Sequence, residues 1–303
     1  MNEHFPRIRL RAQSGYMLVR DGLSLCFFMK RLHSEIAPGV MRSLEYYLQA
    51  LGPSALDAYA DSNGEWQPLD EGGWRHIRQA ILKPIYANIH LVDAAGGEER
   101  YRFDYRGREL GDPSLRSDPT EVCFVSYWLP TELLEERGPQ WVRELILGVA
   151  APLPFDSGNA GLAFNCEMDL LGVAREVHRY CFRHPGMDVL HPSLTTSNIG
   201  TQVHGPSWLT FLGQPVLGEL GGAAGLRSRL KTPGTTVQEM EGDRAVVTLG
   251  LWPEAGDTEQ GKDLPAYREL ARVLEPWTLF GDARSFLRLD PDEARRWERR
   301  FLD

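Results

Sequence analysis

The chain has 303 residues, of which 42% are hydrophobic and 25% charged, and its formal net charge is −9. There is enough apolar material for a sizeable core, and the acidic balance argues against non-specific nucleic-acid binding, because phosphates are met by clustered Lys and Arg. The sequence has no apolar stretch long enough to cross a bilayer, so we predict neither a membrane span nor a membrane partner.

The four cysteines predict free thiols in a reducing compartment. They are widely separated and lie within apolar runs, which suits buried thiols better than a disulfide framework. They are Cys26, Cys123, Cys166 and Cys181. We therefore expect a cytoplasmic protein.

The first predicted unit is a strand followed by a helix. Residues 23–30 are aromatic and apolar over the length of a strand, and residues 36–51 repeat apolar side chains at helical spacing. Residues 86–93 and 99–107 predict a β-hairpin, with Gly96-Gly97 at its turn.

Residues 108–120 predict a surface loop, because they contain two Asp-Pro steps and few apolar side chains. We place a boundary there, between an N-terminal half, residues 1–115, and a C-terminal half, residues 116–303. The alternative is one compact domain.

The order of strand and helix recurs after this loop. Residues 122–128 predict a strand, and residues 133–150 predict a helix that Gly138-Pro139 should kink or divide. A third strand and helix are predicted over residues 244–252 and 264–274, and Gly242-Asp243 predicts the turn of a hairpin before them. We therefore predict an α+β fold, with amphipathic helices on a mixed, largely antiparallel sheet and internally duplicated strand-helix-strand units.

The best candidate for a metal site combines His178, Cys181 and His184 with Cys166 upstream. Residues three apart on a helix are neighbours, and zinc accepts these ligands. However, His178 and His184 lie six positions apart, about 240° around a helix, so the three cannot share one narrow face unless the helix ends between them. We predict no metal and no cofactor, and a metal-dependent enzyme that uses this site is the alternative.

Residues 205–277 place glycines, prolines and tryptophans in one tract without a nucleophile, a base and an orienting partner at a recognisable spacing. This favours a rigid binding surface. We therefore predict no catalytic residue and no enzymatic activity.

Motifs along nearly the whole chain resemble the type VI secretion immunity protein family. They are residues 205–209 (GPSWL), 252–257 (WPEAGD) and 296–301 (RWERRF), with further similarity over residues 64–74, 126–139 and 153–164. The resemblance implies a cytoplasmic, non-catalytic protein that binds and neutralises a cognate effector toxin, often a nuclease of the restriction-endonuclease type. A structural adaptor of the secretion apparatus is a further alternative, and the oligomeric state stays open.

The segment between the last predicted strand and helix is acidic and begins with a tryptophan. We predict as toxin-binding residues Trp252, Glu254, Asp257, Glu259 and Asp263. Carboxylates on a fixed loop can meet the cationic groups with which a nuclease holds its substrate, and Trp is a frequent interface anchor. The alternative is that the loop is acidic only because it is exposed. Trp66 and Trp74 also have acidic neighbours, and each is a candidate for either an interface or the core.

Overall fold

The structure is a computed structural model that describes residues 3–94, 98, 100–110, 120–166, 168, 170, 172–189, 192–281 and 287–303. This described part of the chain contains eleven strands. The strands are β1 (Arg9–Arg11), β2 (Met17–Met29), β3 (Ala58–Ala60), β4 (Trp66–Pro68), β5 (Tyr86–Val92), β6 (Arg102–Arg108), β7 (Cys123–Pro130), β8 (Ser157–Cys166), β9 (Leu209–Leu212), β10 (Thr235–Met240) and β11 (Arg244–Leu249). All of them belong to one sheet, in the order β10-β11-β9-β8-β2-β7-β6-β5-β3-β4, and β1 pairs with β2 beside this path.

Strand β2 is the centre of the sheet. It pairs antiparallel with β7 on one side and with β8 on the other, and its side chains are buried along almost the whole length. Two charged residues, Arg20 and Asp21, are buried within it. They are tolerated because Arg20 pairs with Glu132 at 3.0 Å and Asp21 accepts a hydrogen bond from the Ile8 amide at 2.7 Å.

Helices connect the strands and cover the sheet. They are α1 (His33–Leu51), α2 (Glu71–Ile81), α3 (Glu132–Glu136), α4 (Pro139–Ala150), α5 (Val173–Cys181), α6 (Pro192–Asn198), α7 (Val216–Glu219), α8 (Gly222–Arg229), α9 (Pro265–Leu274) and α10 (Pro291–Glu298), with a 3₁₀ turn at Glu275–Trp277. No helix in the described ranges has both the length and the apolar character needed to cross a membrane.

The two largest clusters of buried apolar side chains meet at β11, one on each face of this strand. Val246 belongs to the larger core, with α1, α2 and α4. Its neighbour Val247 belongs to the smaller core, with α7, α8 and α9. Because successive side chains of a strand point to opposite faces, α4, whose Arg143 bonds to Thr248 of β11, lies on one face of this strand, and α7, α8 and α9 lie on the other.

The predicted α+β class with a largely antiparallel sheet is confirmed. The helix predicted over residues 133–150 is divided as expected, because α3 ends before Gly138, whose φ is 83°, and α4 starts at Pro139. The hairpin around Gly242-Asp243 is also confirmed. The internal duplication stays a prediction. The turn at Gly96-Gly97 and the boundary within residues 111–119 lie outside the described residues, so the division into halves also stays a prediction.

Candidate functional site

The acidic loop, residues 252–263, connects β11 to α9 and is fixed from both sides. Ala255 and Asp257 are buried along it. The Ala255 amide donates a hydrogen bond to the His4 carbonyl, and the Gly186 amide donates one to the Ala255 carbonyl, both at 2.8 Å. The loop therefore lies between the N-terminal segment and the segment that follows α5.

His4 holds the start of the acidic loop. Its imidazole stacks on the Trp252 indole, with ring centroids 4.7 Å apart and planes inclined by 6°. Its Nδ1 lies 2.6 Å from Oε1 of Glu254, whose side chain is 41% exposed. Trp252 thus orients the loop, and the Glu254 carboxylate stays accessible.

Asp257 shapes the tip of the loop. Its carboxylate accepts a hydrogen bond from Arg183 Nη2 at 2.9 Å and from the backbone amides of Glu259 and Gln260 at 3.0 and 3.2 Å. The hydrogen bond from Arg183 holds the pKa of this carboxyl below its ordinary value. Because its oxygens are engaged within the chain, Asp257 supports the loop from inside.

Glu259 and Asp263 are the most exposed carboxylates of the loop, at 67% and 63%. Each also faces an arginine, since Arg183 lies 2.7 Å from Glu259 and Arg268 lies 2.8 Å from Asp263. The hydrogen bond from Arg268 lowers the pKa of Asp263. Both arginines lie outside the loop, and Arg183 also pairs with Asp257, so the loop is less negative than its own sequence suggests.

Sequence reasoning missed both arginines. Arg183 is 74 positions from Asp257, so no local pattern links them. Arg268 follows Asp263 by five positions and lies in the first part of α9, where a basic side chain after an acidic one could have indicated the pair.

A groove of about 310 Å³ runs along the loop. Its wall and floor include Glu3, His4, Phe5, Pro6, Arg7, Ile8, Tyr180, Arg183, His184, Glu254, Gly256, Asp257, Gln260 and Lys262. These described lining residues include no serine or cysteine, and His184 Nδ1 is 2.9 Å from the Gly256 carbonyl. The groove therefore offers polar and charged groups for recognition.

The four residues considered for a metal site contact separate partners. Cys166 donates to the Phe164 carbonyl at 3.3 Å, and His178 lies 3.5 Å from Glu293. Cys181 is buried, which raises the pKa of its thiol to about 12, and His184 bonds to the acidic loop. Within the described ranges, no three His, Cys, Asp or Glu side chains are grouped to hold a metal ion.

Comparison with known proteins points to type VI secretion. The family model TsiV, described as type VI immunity for VRR-NUC, matches residues 39–301, which include the whole acidic loop but not His4. Among solved structures, the Pseudomonas aeruginosa T6SS protein PA0821 is similar with a TM-score of 0.79 and 19% identity, over 97% of this chain and 87% of that chain. At this identity the likeness shows a shared fold. No curated protein matches the chain.

Proposed function

This chain belongs to the TsiV family of type VI immunity proteins for VRR-NUC, and on that premise we propose that it neutralises a VRR-NUC nuclease by stoichiometric binding that blocks access to nucleic acid. The match over residues 39–301 is the observation that carries the proposal. The partner is then the effector itself, and neither nucleic acid nor a membrane is bound.

The acidic loop is the proposed contact with the cationic surface of the nuclease. A nuclease meets phosphates with Lys and Arg, so exposed carboxylates can compete for the same groups. Glu254, Glu259 and Asp263 supply accessible oxygens, whereas Trp252 and Asp257 hold the backbone in place. A fixed loop loses little conformational entropy on binding, which favours affinity.

The proposed compartment is the cytoplasm, where an immunity protein meets a delivered nuclease. The buried thiols of Cys26, Cys123 and Cys181 support this placement, because buried cysteines outside disulfides are typical of reducing compartments.

A titration of nuclease activity tests the mechanism. Active effector is mixed with increasing amounts of the chain, and DNA cleavage is followed. Stoichiometric binding predicts inhibition that is complete near one chain per effector and that weakens as DNA is raised. An enzyme that inactivates the effector would act well below that ratio, and an adaptor of the secretion apparatus would not inhibit cleavage.

A matched pair of charge variants tests the loop. Glu259→Gln with Asp263→Asn should slow association with inactivated effector about fivefold at low salt and reduce its salt dependence. The control, Glu71→Gln with Glu239→Gln, removes the same charge at side chains that are 94% and 71% exposed elsewhere. Equal association rates for the two double variants would exclude the loop as the contact.

A further inference from the structure

A second surface suited to binding lies on β5, β6 and β7. Along these strands every second side chain enters the larger core, and the intervening ones point to the opposite face. We call this surface the open face and define it by Tyr86, His90, Arg102, Asp104, Arg106 and Trp128. These residues line a groove of about 430 Å³. Helix α6 borders the groove through Pro192, and Ile199, which directly follows α6, shares a small cluster with Phe124 of β7.

The open face carries an excess of positive charge. The described lining residues include two arginines, Arg102 and Arg106, but one carboxylate, whereas the whole chain has a net charge of −9. That carboxylate, Asp104, accepts a hydrogen bond from Arg102 Nε at 2.7 Å and contacts His90 Nδ1. Burial by itself would raise the pKa of Asp104, but Arg102 and His90 outweigh it and hold the pKa below its ordinary value.

Exposed aromatic rings surround this charge. Trp66 and Tyr86 are 49% and 51% exposed, and the Trp66 ring lies 5.2 Å from the His90 ring. Deeper in the groove, the Arg102 guanidinium lies 4.4 Å from the centre of the Trp128 ring. Trp, Tyr and Arg are the residues most enriched among energetic anchors of protein interfaces.

We propose that the open face is a second contact surface for the effector and that it binds a carboxylate-bearing segment of that protein. The guanidinium fork of arginine matches a carboxylate with two parallel hydrogen bonds, and the aromatic rings exclude water from the pair. This contact would complement the acidic loop, because two surfaces of opposite charge fix the orientation of a partner better than one. The inference rests on the proposed function, since it concerns the same partner.

Two variants test the open face, with catalytically inactivated effector as the probe. Arg106→Glu should weaken binding at least about tenfold by placing a like charge opposite the carboxylates, and Trp66→Ala, on the short edge strand β4, about fivefold. The control is Arg75→Glu, which makes the same charge change at a 68% exposed site on α2, a helix of the opposite face. Urea unfolding of each variant establishes that it is folded.

The outcomes separate this inference from the proposed function. If the wild-type chain does not bind the effector, the proposed function fails and the open-face contact falls with it. If the wild-type chain binds and both variants bind within twofold of it, only the open-face contact is overturned. It is also overturned if Arg106→Glu converts a dimer of the chain into a monomer, by light scattering, without changing effector affinity.

Discussion

The buried pair of Arg300 and Asp188 should contribute strongly to stability, because it attaches the C-terminal end of the chain to the rest of the protein. Arg300 Nη2 donates to Asp188 at 3.1 Å, and its Nε donates to the Pro185 carbonyl at 2.9 Å. Its guanidinium also lies 3.8 Å from the centre of the Trp297 ring. His204 Nε2 lies 3.0 Å from the other Asp188 oxygen.

The change that tests this pair is Arg300→Met, which keeps most of the side-chain volume and removes the charge. The Arg300 and Asp188 side chains are 15% and 9% exposed, so the variant leaves a buried carboxylate without its arginine partner. Removing one partner of a buried pair costs about 3–5 kcal/mol. We expect the lower end, about 3 kcal/mol, because His204 and the Val189 amide still bond to Asp188.

The assay is urea unfolding of Arg300→Met, Asp188→Asn and the double variant. The midpoint should fall for each single variant with little change in slope. The decrease in unfolding free energy of the double variant should be smaller than the sum of the decreases in the two single variants, because the double variant contains no unpaired buried charge. Arg299→Met is the control, since Arg299 makes surface pairs with Glu275 and Asp303, and its midpoint should stay close to wild type.

Two results would refute this reasoning about the pair. One is a decrease in the unfolding free energy of Arg300→Met that stays below about 1 kcal/mol, which would mean that water replaces the guanidinium at little cost. The other is strict additivity in the double variant, which would mean that the two side chains act independently.

Three further predictions concern the loop, pH and thiols. Gly186→Ala should destabilise the chain by about 2 kcal/mol and weaken effector binding, because a Cβ would lie 2.0 Å from the Glu254 carbonyl oxygen. Urea unfolding measures the change in stability, and titration calorimetry measures the change in affinity. Since the pKa values of Asp188 and Asp104 are lowered in the folded state, their contribution to stability is present above the ordinary Asp pKa of about 4 and is lost as pH falls below it; unfolding free energies that do not decline between about pH 5 and 3 would contradict this. Burial raises the pKa of Cys26, so its thiol should resist alkylation in the native protein and react after unfolding, as mass spectrometry would show.

The local elements followed from the sequence because their causes are local. Helix α4 begins at Pro139, since proline is favoured in the first turn and lacks the amide that a helix interior requires. The turn between β10 and β11 uses Gly242 and Asp243, which have φ values of 72° and 53°, the backbone region that Gly and Asp adopt most readily in such turns.

Strand β2 shows a limit of prediction from local sequence. Its predicted part began at Leu23, yet the strand starts at Met17, because Arg20 and Asp21 look like surface residues in sequence. They are buried because partners from other segments bond to them, including Glu132 and Thr131, which lie more than a hundred positions away. A buried charge depends on such partners, and the residues next to it in the sequence do not indicate which they are.

The sequence by itself determined the α+β class, the positions of about half of the strands and helices, the acidic loop and the family resemblance, because periodicity, turn residues and motifs depend on residues that are close together in the chain. Only the tertiary structure decided which loop carboxylates are accessible and which are engaged. Asp257 is buried and bonds to Arg183, whereas Glu254 stays 41% exposed beside His4. The arginines and aromatic rings of the open face come together through the pairing of β5, β6 and β7. Such contacts join residues far apart in the chain, so their energies depend on the fold as a whole.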